Sequence, residues 1–184
     1  DQYLTDDEIA GGKILNDMRH PDRIVGKGDA LGYNYMIRAS RAEAFASLRY
    51  DCNKIGLGCN IGIANNTLYR NGKYEKELFP GNASFGDSRK LSMGAYNVNA
   101  SFRYSFSPAH IVEVSALAST RAPFAGNIFL NPQYSNTMID NPDMARTLSV
   151  EIVYSGVIGP CMLNLAGFYT RTSCETAVYR YWDE

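Results

Sequence analysis

The side chains in this 184-residue chain best suited to metal binding or nucleophilic attack are two histidines, His20 and His110, and four cysteines, Cys52, Cys59, Cys161 and Cys174. A zinc site needs three or four such ligands at short, defined spacings, and none of these stands in such a cluster. A hydrolytic nucleophile needs a base and an orienting group around it, and no serine or cysteine here has that setting in sequence. Gly56-Leu57-Gly58 is superficially a dinucleotide loop, but it lies inside an alternating segment with no helix to receive a pyrophosphate. Asn65-Asn66-Thr67, Asn82-Ala83-Ser84 and Asn99-Ala100-Ser101 fit the glycosylation pattern, which is common by chance. No enzyme, metal or cofactor is expected.

Composition narrows the class further. Lys and Arg total 18 against 19 Asp and Glu, a formal net charge of −1, which argues against a protein built to neutralise phosphates. Hydrophobic residues at 45% and charged residues at 20% are those of a chain that folds. Thirteen Tyr, eight Phe and 16 Gly favour β-structure with many turns. No apolar run of roughly 18 residues is present, so no membrane-spanning helix is expected. The first residues, Asp1 to Glu8, carry neither a basic nor an apolar stretch, so no signal peptide is visible.

The elements follow from a period of two. Between Met36 and Tyr50, Ala42, Ala44, Ala46, Leu48 and Tyr50 alternate with Arg41, Glu43, Ser47 and Arg49. Ile55 to Tyr69 sets Ile55, Leu57, Cys59, Ile61 and Ile63 against Gly56, Gly58, Asn60, Gly62 and Ala64. Leu91–Phe106, Ile111–Arg121, Thr147–Tyr154 and Cys161 to about Arg171 repeat the pattern. About six strands of roughly 9–15 residues result, long for a globular sheet and suited to a tilted crossing of hydrocarbon. The connections alternate too: 51–54, 107–109 and 155–160 are short, while 69–89 and 122–144 are long and polar. Asn71-Gly72 reads as a hairpin turn inside the first long loop. Tyr50, Tyr104, Phe106 and Tyr154 cluster beside the short turns, as an interfacial aromatic girdle would. Arg103 and Glu113 pair across the 107–109 turn on the polar face. On this strand order Cys52 and Cys174 lie at opposite ends and Cys59 and Cys161 on strands that are not neighbours, so four free cysteines are expected.

Several stretches in order carry a likeness to a known family. They are Gly32-Tyr33-Asn34-Tyr35 leading into Arg41-Ala42-Glu43-Ala44-Phe45-Ala46, then Arg70-Asn71-Gly72-Lys73 with Leu78-Phe79-Pro80-Gly81-Asn82, and Phe85-Gly86-Asp87-Ser88. Ser119-Thr120-Arg121-Ala122-Pro123-Phe124 follows, then Asn141-Pro142-Asp143, and Tyr179-Arg180-Tyr181-Trp182-Asp183-Glu184 closes the series. Over about 30–184 the chain resembles the barrel portion of TonB-dependent outer-membrane receptors, especially the carboxypeptidase-regulatory-like group of Bacteroidetes. The resemblance implies an all-β antiparallel meander of about six long strands, a segment of a large transmembrane barrel over 32–184, with 1–31 an extracellular loop. It implies import of a scarce nutrient across the bacterial outer membrane, driven by the proton-motive force. The partners it implies are the TonB complex, acting through a plug domain outside this chain, outer-membrane lipid and a nutrient ligand.

Under that reading Arg70, Lys73, Tyr74, Phe79, Phe124 and Tyr134 are substrate-binding candidates on the loops. Arg41, Glu43, Arg103, Glu113, Arg121 and Glu151 would face the lumen or plug. Departures are evident: Ala145-Arg146-Thr147 follows Met144 where many relatives have Lys-Pro-Glu, and no plug or closing aromatic strand is seen. Six strands cannot close a 22-stranded circumference, so the chain reads as a fragment. The alternative is a small soluble β-barrel or sandwich acting as a binding or adhesion module.

Overall fold

The computed structural model describes residues 17–24, 26–30 and 32–177. It is an all-β, antiparallel sheet of β1 (Tyr35–Cys52), β2 (Ile55–Gly72), the two-residue β3 (Gly86–Asp87), β4 (Leu91–Ser107), β5 (His110–Arg121), β6 (Ala145–Ile158) and β7 (Cys161–Ser173). The six long strands lie in the order β1-β2-β4-β5-β6-β7, each beside its neighbour in sequence, and β3 pairs only with the end of β2. Strong alternation and β-branched or aromatic residues make these segments strands. Tight connections join them at one end. Asn53 turns β1 into β2 at φ 48°, Gly159 turns β6 into β7 at φ 61°, and Pro108 turns β4 into β5. Asparagine and glycine enter this left-handed region at little steric cost.

The first correction concerns closure. Among the described residues β1 pairs only with β2 and β7 only with β6, so the sheet is open and has two free edges. A barrel segment crossing hydrocarbon cannot leave its edge N–H and C=O groups without partners. The transmembrane-barrel fold expected from the resemblance is therefore not the fold of this chain. The Asn71-Gly72 turn is a second correction. Both residues belong to β2, opposite Met36 and Tyr35, and the chain turns only beyond them. The series-closing Tyr179–Glu184 stretch and the first sixteen residues lie outside the described residues.

Register assigns each face. Tyr50, Leu57, Phe102, Val114 and Ile152 form one row across the strands, and Leu48, Cys59, Ala100, Ala116, Val150 and Tyr169 form the next. The opposite face carries Arg41, Glu43, Arg103, Glu113, Arg121 and Glu151. At the end away from the tight turns, the two long loops fold onto this second, polar face. There Leu68, Ile128 and Phe129 form a small core, with Ile37, Leu91, Met138 and Ile139 packed against it. Ile128 and Phe129 are fully buried. The loops are tied to each other: Asn136 N donates to Ala83 O at 2.7 Å and its side-chain amide to Asn82 O at 2.8 Å. Met18 and Arg19 join this cap through Met18 N to Glu75 O at 3.0 Å and the Arg19 guanidinium to the Glu75 carboxylate at 3.0 Å. The core thus lies at one end of one face, and nothing among the described residues covers the other face.

Candidate functional site

Most loop residues singled out as substrate-facing hold the loops together. Arg70 is buried, and its guanidinium donates to Pro132 O at 2.7 Å, to Ser84 O at 2.8 Å and to Asn136 Oδ1. Burial pulls its pKa down from the ordinary value, but an arginine stays charged at any physiological pH. Tyr74 is buried as well. Its hydroxyl donates to Ala30 O at 2.9 Å and accepts from Arg23. Tyr134 and Phe79 are partly buried, with the Lys76 ammonium 5.9 Å from the Tyr134 ring and Phe79 N bonded to Lys76 O. Lys73 and Phe124 are exposed. The Arg121 guanidinium lies 4.9 Å over the Phe124 ring and 3.0 Å from Glu175, so this pair marks a separate corner of the cap.

The six charged strand residues share the polar face, but the structure does not bring them together. Arg41 and Glu43 pair at 3.1 Å on β1, and this hydrogen bond holds the Glu43 carboxyl below its usual range. Glu151 stands apart on β6, exposed. Arg103 and Glu113 are in register, yet Arg103 bonds Asp51 instead. Asp51 also takes Arg49 at 2.7 Å, which keeps its carboxyl below the ordinary value. Arg49, Asp51, Arg103 and Glu113 border an open depression of about 410 Å³, also lined by Ser47, Asn60 and Ser101. Glycines make the room: a Cβ at Gly58 would stand 2.5 Å from Ser101 Oγ, and one at Gly56 would stand 2.9 Å from Asp51 Oδ1. Two cations and two anions neutralise each other here, so the depression has no net field to attract a charged ligand. Arg49 and Asp51 were not among the expected site residues. Their signal was the row of glycines on β2, which leaves space for long side chains from both neighbours.

The surface with no partner of its own is the apolar face. Leu48 is 72% exposed, Ile63 63% and Tyr169 63%, and Leu57, Ile61, Phe102, Leu148, Val150, Ile152 and Leu165 are all exposed. Its middle rows carry Ala46, Ile61, Val98, Ala118 and Leu148 beside the two rows named above, with Arg171 at the β7 end as their one charge. Where Cys59, Ala100 and Ala116 sit side by side, their small side chains leave a shallow apolar trough of about 530 Å³ between Leu48, Tyr50, Leu57, Phe102 and Val114. Beside the tight turns, Tyr104 meets Phe106 edge to face at 4.8 Å, and Tyr154 hydrogen-bonds His110 Nδ1 at 2.7 Å. These aromatics line the end of the apolar face; with the barrel gone they mark no membrane boundary. All four cysteines are free, Cys59 partly buried on this face and the other three exposed.

Among the described residues no three His, Cys, Asp or Glu side chains gather as a metal site, and no helix is long and apolar enough to cross a membrane. No family model, no curated protein and no solved structure matches the chain. The likeness to TonB-dependent receptors thus finds no support in comparison, and the open sheet contradicts it. With it go the nutrient-import function, the TonB complex and outer-membrane lipid as partners, and the outer-membrane location. The class that the fold defines is an open, single-layered antiparallel sheet capped by loops on one face, and no particular family is established within it.

Proposed function

We propose that this chain is a non-catalytic binding module whose working surface is the apolar face of its sheet. One observation carries the reading: that face is continuous over six strands, rich in Leu, Ile, Val, Phe and Tyr, and open to solvent. Contiguous exposed apolar patches beyond a few hundred Å² mark interaction surfaces in folded proteins. Charged side chains are nearly absent from its centre, the composition expected of an interface core. The loop cap supplies the chain's own buried core, so the apolar face is left for another molecule.

The test is a triple substitution, Ile61→Thr with Val98→Thr and Leu148→Thr, assayed by fluorescence of an apolar dye. Threonine keeps the strand preference while putting a hydroxyl where Val98 has a methyl group and removing more apolar volume at Ile61 and Leu148. The wild-type chain should bind the dye, or lose that binding only where a partner occupies the face, and the variant should bind neither dye nor partner. A variant that unfolds would mean that the face is an internal packing surface, contrary to this reading.

A further inference from the structure

The dimensions and pattern of the apolar face identify what fits it. Six strands about 4.8 Å apart and five apolar rows about 6.7 Å apart span roughly 1,000 Å² per copy, so two such faces would bury about 2,000 Å², the size of a stable protein interface. Resting on the binding-module reading, we propose that the occupant is a second copy of this chain, the two sheets packing face to face as a two-layered sandwich about a twofold axis that runs along the strands between β4 and β5. Ala100 and Ala116 are neighbours in register across those two strands at the middle of the five rows, so the axis passes between two alanines. Small residues there let the sheets approach to the roughly 10 Å of packed sheets.

Such an axis sets β4 over the partner's β5. Phe102 then lies over the partner's Val114 and Val98 over its Ala118, a large side chain against a smaller one in each case. The marginal cations avoid each other: Arg171 on β7 comes over Ala46 of β1, and Arg146 on β6 over Ile63 of β2. Asp87, opposite Asn71 at the far end of β2, is the nearest acidic residue on this side, and none lies in the five apolar rows, so a strongly basic partner would find nothing there to pair with, whereas a second copy needs no such pairing. A sandwich also explains why the loops stack on the polar face: they leave the apolar face unobstructed.

The experiment is sedimentation of the full chain without detergent over a range of concentrations, with thiol alkylation read at Cys59 and Cys174. The wild-type chain should sediment at twice the monomer mass, with Cys59 shielded as dimer accumulates and Cys174 alkylated throughout. Ala100→Glu and Ala116→Lys should each raise the dissociation constant at least about 100-fold, because like charges then meet beside the axis. Mixing the two variants should restore a dimer, since position 100 of one copy faces position 116 of the other. Circular dichroism on each variant separates lost association from lost folding. A wild-type monomer that still binds apolar dye overturns the dimer but leaves the binding module standing. A wild-type monomer with no dye binding overturns both. A dimer indifferent to both charges, with Cys59 freely alkylated, would pair through a sheet edge and overturn the proposal, as would association only with phosphatidylcholine vesicles.

Discussion

One buried guanidinium adds to the bonds that hold the two long loops together. Arg70 is the last long side chain of β2 on the polar face, and it reaches carbonyls in both loops, Ser84 in one and Pro132 in the other. Removing it orphans those carbonyls and empties a buried site beside Tyr35. Arg70→Ala should cost about 3 kcal/mol of unfolding free energy in urea titration. Arg70→Lys should recover less than half of that, because one ammonium cannot replace the two-pronged fork. A second residue gives the cap a pH response. Burial of the Asp17 carboxyl raises its pKa, but the His20 hydrogen bond and the N–H groups of Glu75 and Arg19 outweigh this, so the net value lies below 3.8. A depressed folded pKa stabilises the fold above 3.8, and that contribution disappears as pH falls through the folded value. Acid titration of stability should therefore be steeper in the wild type than in Asp17→Asn below that pH. Equal slopes would mean that the carboxylate does not hold the cap.

At the scale of elements, the end of β2 is where a strand must pass under a loop. A Cβ at Gly72 would stand 1.8 Å from Ser84 O, which is backbone and cannot yield. Gly72→Ala should therefore destabilise the fold by at least about 3 kcal/mol, while Gly94→Ala, with open space around its Cβ position, should stay within about 1 kcal/mol of the wild type. Thermal melts of the two alanine variants would measure the contrast. Strand positions were legible because the alternation is long and regular: Ile55, Leu57, Cys59, Ile61 and Ile63 mark β2 with no help from the rest of the chain. Its end was not legible. Asn71-Gly72 has the composition of a tight turn, yet ladder bonds to Tyr35 and Met36 outweigh that local preference. The roles of Arg70 and Tyr74 were hidden for a similar reason. Loop cations and aromatics look exposed in sequence, and only loop packing puts them inside.

At the scale of the whole molecule, folding stability and the apolar face are separable. In the Ile61→Thr, Val98→Thr, Leu148→Thr variant, Ile61 and Leu148 are about half exposed and Val98 is partly buried in the monomer, so its unfolding free energy should fall by no more than about 2 kcal/mol when measured in dilute monomer. At concentrations where a partner covers the face, the wild type alone should gain stability with concentration. A loss of several kcal/mol in dilute monomer would count against an uncovered face.

Period-two alternation is a local property, written residue by residue, and it settled by itself that this chain forms long antiparallel strands with one greasy flank and one polar flank. Whether those strands close on themselves, and what lies against the greasy flank, are properties of edges and of distance. The same alternation serves a ribbon facing hydrocarbon and a ribbon facing a second sheet, because each needs only that every other side chain be apolar. Only the assembled sheet, with β1 and β7 both left at its margins and the loops folded onto the polar side, decided that the strands do not close into a barrel and that their own loops do not cover the greasy flank.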